Sequence, residues 1–187
     1  LPIADATAIG FVMPLFIALL AVPMLKERMD APRMIAILAG LAGALIIVRP
    51  GASVFTPYAL LPLAMAAVNS LYHILTRKIA GLEPPMTSLF YGALVGAVMF
   101  SPVVPFQFQA PETALHWLLL GMLGVLATIG HLALIRAYDY GLATVLAPYQ
   151  YSILVWVMLY GYVFFGDFPD RWSIAGMAII VAAGLYL

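Results

Sequence analysis

Residues 141–167, GLATVLAPYQYSILVWVMLYGYVFFGD, constrain this chain more than any other stretch. The run is apolar and long enough to cross a hydrocarbon layer about 30 Å thick, for which about 20 helical residues suffice. A proline and a polar aromatic cluster, Tyr149-Gln150-Tyr151, interrupt it about a third of the way along, and an acid closes it. A second stretch of the same design, ATAIGFVMPLFIALLAVPMLKE, covers residues 6–27. Ala6-Thr7 recurs as Ala143-Thr144, 137 residues on. Each copy holds an interior proline, Pro14 or Pro148, ends in an acid, and is followed by a polar turn and another apolar run. A copy at this distance points to a repeated helical bundle rather than to a solenoid of short units.

Lipid is the only solvent that accommodates the rest of the chain. Hydrophobic residues make up 65% of the 187 and charged residues 9%, against about 25% charged in an ordinary soluble domain. Mean hydropathy is +1.09. Backbone polar groups in hydrocarbon must pair within the segment or within a closed barrel. Ten-residue alternating strands are lacking, so the segments are helices. Seven are expected, near 7–25, 34–48, 58–75, 86–106, 115–137, 142–165 and 172–187. Asp30 and Pro32 suit a helix start, while Pro50-Gly51, Pro84-Pro85 and Gly166 with Pro169 separate the runs. Leu1 is not an initiator methionine and no signal-peptide pattern precedes the first run, so a fragment or processed product is expected.

Basic residues set the expected orientation. Loops 26–33, 76–85 and 136–141 hold Lys26, Arg28, Arg33, Arg77, Lys78 and Arg136, whereas the other side holds only Arg49 and Arg171. The richer side is expected to be cytoplasmic. The first and sixth helices then run in opposite directions, the mark of an inverted repeat.

Polar residues within the apolar runs are the candidate site. Asn69 and His73 stand four apart on the third helix with Tyr72 beside them. They read as a cavity wall or as interhelical hydrogen bonds worth roughly 0.6–2 kcal/mol each. His131 on the fifth helix reads as a proton-coupling group or as a neutral donor to a carbonyl. Pro148 removes a backbone donor, so Tyr149, Gln150 and Tyr151 read as a cavity lining at a kink or as plain packing; Pro14 is the matching kink. The polar set Asn69, His73, Tyr149, Gln150 and Tyr151 is expected to converge on one midplane cavity. Glu27 and Asp167 read as gating partners of basic groups or as solvated loop charges. Arg136 and Asp139 read as a local ion pair or a gate. Gly92-x-x-x-Gly96 and Ala36-x-x-x-Gly40 are small-residue packing faces.

In order along the chain, Ala6-Thr7, Pro14-Leu15, Leu25 with Glu27, Arg33, Gly40, Gly43 and Arg49-Pro50-Gly51, then Ala143, Ala147-Pro148-Tyr149, Gly166-Asp167 and Gly184, make a recognisable pattern. It resembles the drug/metabolite transporter superfamily, in its ten-helix branch with two EamA-type repeats. Lys26 departs from it, standing where the family often has glycine before the acid. The resemblance implies an all-α integral membrane protein, seven transmembrane helices of a ten-helix, five-plus-five inverted repeat. Residues 1–50 would be the last two helices of the first repeat and 51–187 the second repeat. The opposite wall of the cavity would then come from three helices absent here. It implies a secondary transporter in the cytoplasmic (inner) membrane that moves a small organic metabolite by alternating access. Substrate-binding residues would be Asn69, Tyr72, His73, His131, Tyr149, Gln150 and Tyr151.

The remaining expectations are negative or open. Zero net charge gives no reason to expect a nucleic-acid partner, and no cofactor or metal is expected. A homodimer stays open. A phosphate-binding G-x-x-x-x-G-K-[ST] loop is lacking, so a gradient or exchange would drive transport rather than ATP. An intramembrane enzyme would need a nucleophile or metal set. The chain has no cysteine, no H-E-x-x-H and no G-x-S-x-G, and His73, His116 and His131 are spread along the chain rather than gathered in one motif. A non-transporting membrane subunit is the third reading.

Overall fold

A computed structural model describes residues 3–51 and 56–186, with only the backbone described at 3–5 and 107. The described residues are helical, with turns between helices. They form two compact units, Leu1–Leu75 with Gly141–Leu187, and Thr76–Tyr140. Among the described residues, five helical spans are long and apolar enough to cross a membrane: Ala6–Leu25, Ala31–Val48, Pro57–Ile79, Ala114–Tyr140 and Ala143–Phe165. Two further apolar helices are shorter, Pro85–Phe100 and Arg171–Leu185. Fifteen residues rise only about 22 Å, so neither length nor composition by itself makes the last of these a crossing. The tail of the expected run 172–187, Leu187, lies outside the described residues.

The first span is broken. α1 (Ile3–Gly10) gives way to a turn at Phe11-Val12 before α2 (Met13–Leu25). Pro14, in the first turn of α2, has no N–H for the Gly10 carbonyl, so the ladder is interrupted where the proline requires it. α2 ends at Lys26, whose φ of 56° places a side-chain-bearing residue in the left-handed region. α3 (Ala31–Val48) starts three residues earlier than its apolar run, because Asp30 accepts the Arg33 N–H at 3.1 Å and Pro32 fits the first turn. α4 (Leu60–Ile79) ends on Arg77 and Lys78, charges that favour a helix C-terminus.

The sixth run is also irregular. α8 (Ala143–Leu146) tightens into a 3-10 turn over Ala147–Tyr151, which holds Pro148. α9 (Ser152–Tyr160) follows and widens into a π turn over Gly161–Phe165. Gly166, at φ 76°, ends it. Asp170 then caps α10 (Arg171–Leu185), accepting the Ser173 N–H at 2.8 Å.

α3 and α10 pack antiparallel. Arg49 after α3 pairs with Asp170 before α10 at 2.5 Å, and Gly43 lies against Gly176. A Cβ on Gly176 would sit 2.7 Å from the Gly43 carbonyl oxygen, and one on Gly43 2.8 Å from the Gly176 oxygen. Only glycine lets the two backbones approach this closely, and in lipid that approach supplies the packing energy. The nearby core joins Ala44, Tyr151, Leu154 and Ile180, with Phe11 and Ile47 against it.

In the second unit α5 (Pro85–Phe100) packs on α7 (Ala114–Tyr140). The expected run 86–106 breaks at Ser101–Val103, around Pro102, before a short α6 (Val104–Gln107). Arg77 donates to the Tyr138 carbonyl, and the Gly81 N–H donates to Asp139 at 3.1 Å. Asp139 therefore serves the turn, and among the described residues no ion pair joins it to Arg136. Gly92 and Gly96 have open space where a Cβ would stand, whereas Ala36 and Gly40 are buried.

Candidate functional site

Within the first unit, α1, the start of α2, and α4 border a cleft of about 860 Å³. Ala6, Thr7, Gly10 and Met13 line one side, and Met65, Asn69 and Tyr72 the other. Thr7, Asn69 and Tyr72 are its polar side chains, and Gly10 brings the carbonyl that Pro14 leaves without its helical donor. All eight lysines and arginines are described, and none lines the cleft. The surface is thus apolar with a few polar groups, the usual make-up of a small-molecule site.

The structure brings two of the expected site residues into this cleft, Asn69 and Tyr72. Their spacing of three puts both on the face turned to α1. His73 faces elsewhere: it is buried, with its ring edge-on to Tyr72 at 5.7 Å between centroids. Tyr149 is 46% exposed and donates its hydroxyl to the Gly184 carbonyl at 3.1 Å. Gln150 is half-buried in the 3-10 turn. Tyr151 is fully buried, tilted against Phe11 at 6.2 Å and in contact with the place a Gly40 side chain would occupy. Its hydroxyl is the buried side-chain polar atom without a partner among the described residues. His131 is exposed on α7, in the second unit.

Sequence reasoning passed over Ser70, and it read Glu27 as a gating partner of basic groups or a solvated loop charge without placing it on a helix start. Ser70, buried on α4, has its Oγ 2.6 Å from the Ala66 carbonyl and 3.1 Å from that of Met13, tying α4 to α2. Glu27 is 8% exposed and accepts from the Ala143 N–H (2.9 Å), the Thr144 N–H (2.9 Å) and the Thr144 hydroxyl (2.8 Å). Arg33 donates to the same hydroxyl at 3.2 Å and to the Arg28 carbonyl at 2.7 Å. The acid that ends the first span therefore caps the N-terminus of the span Ala143–Phe165, where negative charge is favoured. The only hint in sequence was an acid at the end of one repeat and an Ala-Thr pair at the start of the other.

These features describe an integral membrane protein whose apolar helices are interrupted beside a largely apolar cleft. The model of the EamA-like transporter family matches residues 56–187, and the chain belongs to that family. The whole chain is 32% identical over 186 residues to an S-adenosylmethionine uptake transporter of Rickettsia bellii, of which it covers 64%. It is 29% identical to the pseudopaline exporter CntI of Pseudomonas aeruginosa (66% covered) and 28% identical to a riboflavin transporter of Vibrio cholerae (62% covered). The chain thus spans just under two thirds of the length of these relatives, which are named as transporters or exporters. One crystal structure shares the fold with a TM-score of 0.86 at 22% identity, over all of this chain and 67% of that one.

Proposed function

We propose that the chain is part of a secondary transporter that moves a small organic metabolite across the cytoplasmic membrane by alternating access. In this reading residues 1–50 close a first EamA repeat and 51–187 form a second. All seven apolar helices cross the bilayer in a five-plus-five inverted arrangement. The observation that carries it is structural recurrence: the left-handed turns at Lys26 and Gly166 and the capping acids Asp30 and Asp170 are both 140 residues apart. This register is one helical turn away from the 137 of the Ala-Thr pairs. The antiparallel packing of α3 on α10 supports inversion, since these helices hold equivalent places. Thr7, Asn69 and Tyr72 meet the solute, and the helices bearing His73, Tyr149, Gln150 and Tyr151 frame the path. His131 is a candidate on its own helix.

The solutes named for the relatives, S-adenosylmethionine, pseudopaline and riboflavin, are small organic metabolites and support that class here. The test is uptake into vesicles carrying the full-length protein, using a panel chosen by thermal-shift screening. Asn69→Ala and Tyr72→Phe should each cut uptake at least about tenfold with unchanged membrane insertion, the scale of one lost hydrogen bond to a solute. Unchanged uptake in both would refute the assignment of the cleft.

A further inference from the structure

The turn 26–30 and the turn 166–170 share a backbone design but differ in what their first acid does. Glu27 is buried and accepts three hydrogen bonds from Ala143 and Thr144. Asp167, which holds the same place in its own turn, is exposed, and among the described residues its carboxylate has no partner. The open cleft lies along α1, the counterpart of the stretch that Glu27 clamps. Two equivalent ends of the molecule are thus in opposite conditions, one closed by a carboxylate on a helix start and one open.

We infer that Glu27 is the latch that shuts one end of the transport path, and that Asp167 is its counterpart, engaged when the other end shuts. This rests on the transport reading above. The chemistry suits a reversible latch. A carboxylate on two backbone N–H groups and a hydroxyl forms charge-assisted bonds with no covalent cost, and water replaces them when the end opens. Arg33 reaches Thr144 from the same side as Glu27, so one hydroxyl joins both charged groups. Opening this end must part Glu27 from Thr144. Ala147, fully buried one turn beyond Thr144, then becomes accessible. A shift in the equilibrium moves the two ends in opposite senses, because a two-state protein that spends more time open at one end spends less time open at the other.

The test is a pair of single-cysteine reporters in the full-length protein, in a cysteine-free background, labelled with a membrane-impermeant maleimide in vesicles of each orientation. Ala147→Cys reports the latched end and Thr7→Cys the cleft. Adding Glu27→Ala should raise Ala147→Cys labelling at least tenfold and lower Thr7→Cys labelling several-fold. Thr144→Val, which keeps shape and backbone donors, should give a smaller shift of the same sense, and Glu27→Asp should partly restore the parent rates. Asp167→Ala should shift both rates the other way. A carboxylate that merely stabilises the fold would loosen both ends, so a rise at both positions overturns the latch, as does no change at either. Uptake measured on the parent protein, carrying neither reporter, separates the two readings. Opposed labelling shifts without uptake keep the latch and refute transport; uptake without opposed shifts does the reverse.

Discussion

The turns Lys26–Asp30 and Gly166–Asp170 are two solutions to one local problem. Each ends a helix in the left-handed region, runs extended, and starts the next helix on an aspartate cap. The backbone follows from local sequence: an acid three residues before an N–H makes the cap, and a residue tolerant of positive φ makes the stop. What differs is tertiary. Glu27 has found the start of a helix more than a hundred residues away, while Asp167 faces outward. Residues in matching places of two similar turns thus need not have matching surroundings.

The largest effect should come from separating the helices that follow the two turns. Gly176→Val puts side-chain atoms where a Cβ alone would stand 2.6 Å from Ile47 and 2.7 Å from the Gly43 oxygen. Backbone cannot give way as a flexible side chain can, so the loss should be about 3 kcal/mol or more, at the upper end for overpacking. It would be seen as a lower melting temperature in detergent by tryptophan fluorescence. Gly121→Ala on α7, where nothing lies within reach of a Cβ, should be neutral or gain up to about 1 kcal/mol from helix propensity. Equal losses in both variants would show that the α3–α10 contact does not hold the turns together.

The acids come next. Glu27→Ala leaves two backbone N–H groups and the Thr144 hydroxyl short of a partner and should cost about 1–3 kcal/mol. Asp167→Ala should change stability by less than about 0.5 kcal/mol, as exposed substitutions do. Equal costs in a denaturation series would erase the difference between the two turns. The stop residues should then differ in sign. Lys26→Gly relieves a left-handed lysine and should gain about 0.5–1 kcal/mol, while Gly166→Ala should lose about 1–2 kcal/mol.

The sequence was most legible where physics is local. Apolar runs marked the helices, and Asp30 with Pro32 marked the start of α3. Pro14 announced an irregular first span, although local sequence did not show that Phe11, within the break, packs against Tyr151. The run 86–106 hid the stop at Ser101 because Pro102 and Pro105 sit among residues as apolar as any helix interior. In the cleft, Asn69 and Tyr72 stood out as polar groups in an apolar helix, but Thr7 and Gly10 did not, since neither is unusual until α4 lies beside it. Glu27 was the hardest to read. Its partners are 116 and 117 residues away, and two of the three bonds use backbone N–H groups, which carry no residue signature.

The smallest effect concerns the second acid of each turn and its dependence on pH. Asp170 lies outside the helices, in the turn before α10. The Ser173 backbone N–H, then the Ser173 hydroxyl, then Arg49, hold its carboxyl below the ordinary 3.8, at about 2. A depressed value means that the folded state favours the ionised form. The stabilisation is therefore fully present above the unfolded value near 3.8 and fades as pH falls toward 2. Because the group is exposed, salt should weaken the Arg49 contribution and leave that of the cap. Melting followed from pH 5 to pH 2 should show Asp170→Asn approaching the parent protein as acid is added, because asparagine still caps but carries no charge. Arg49→Met should remove the salt sensitivity while keeping most of the pH dependence, since Ser173 supplies the larger share. If Arg49→Met abolished the pH dependence and Ser173→Ala left it intact, the ion pair rather than the cap would govern this turn. The parallel with Asp30 would then end at backbone geometry.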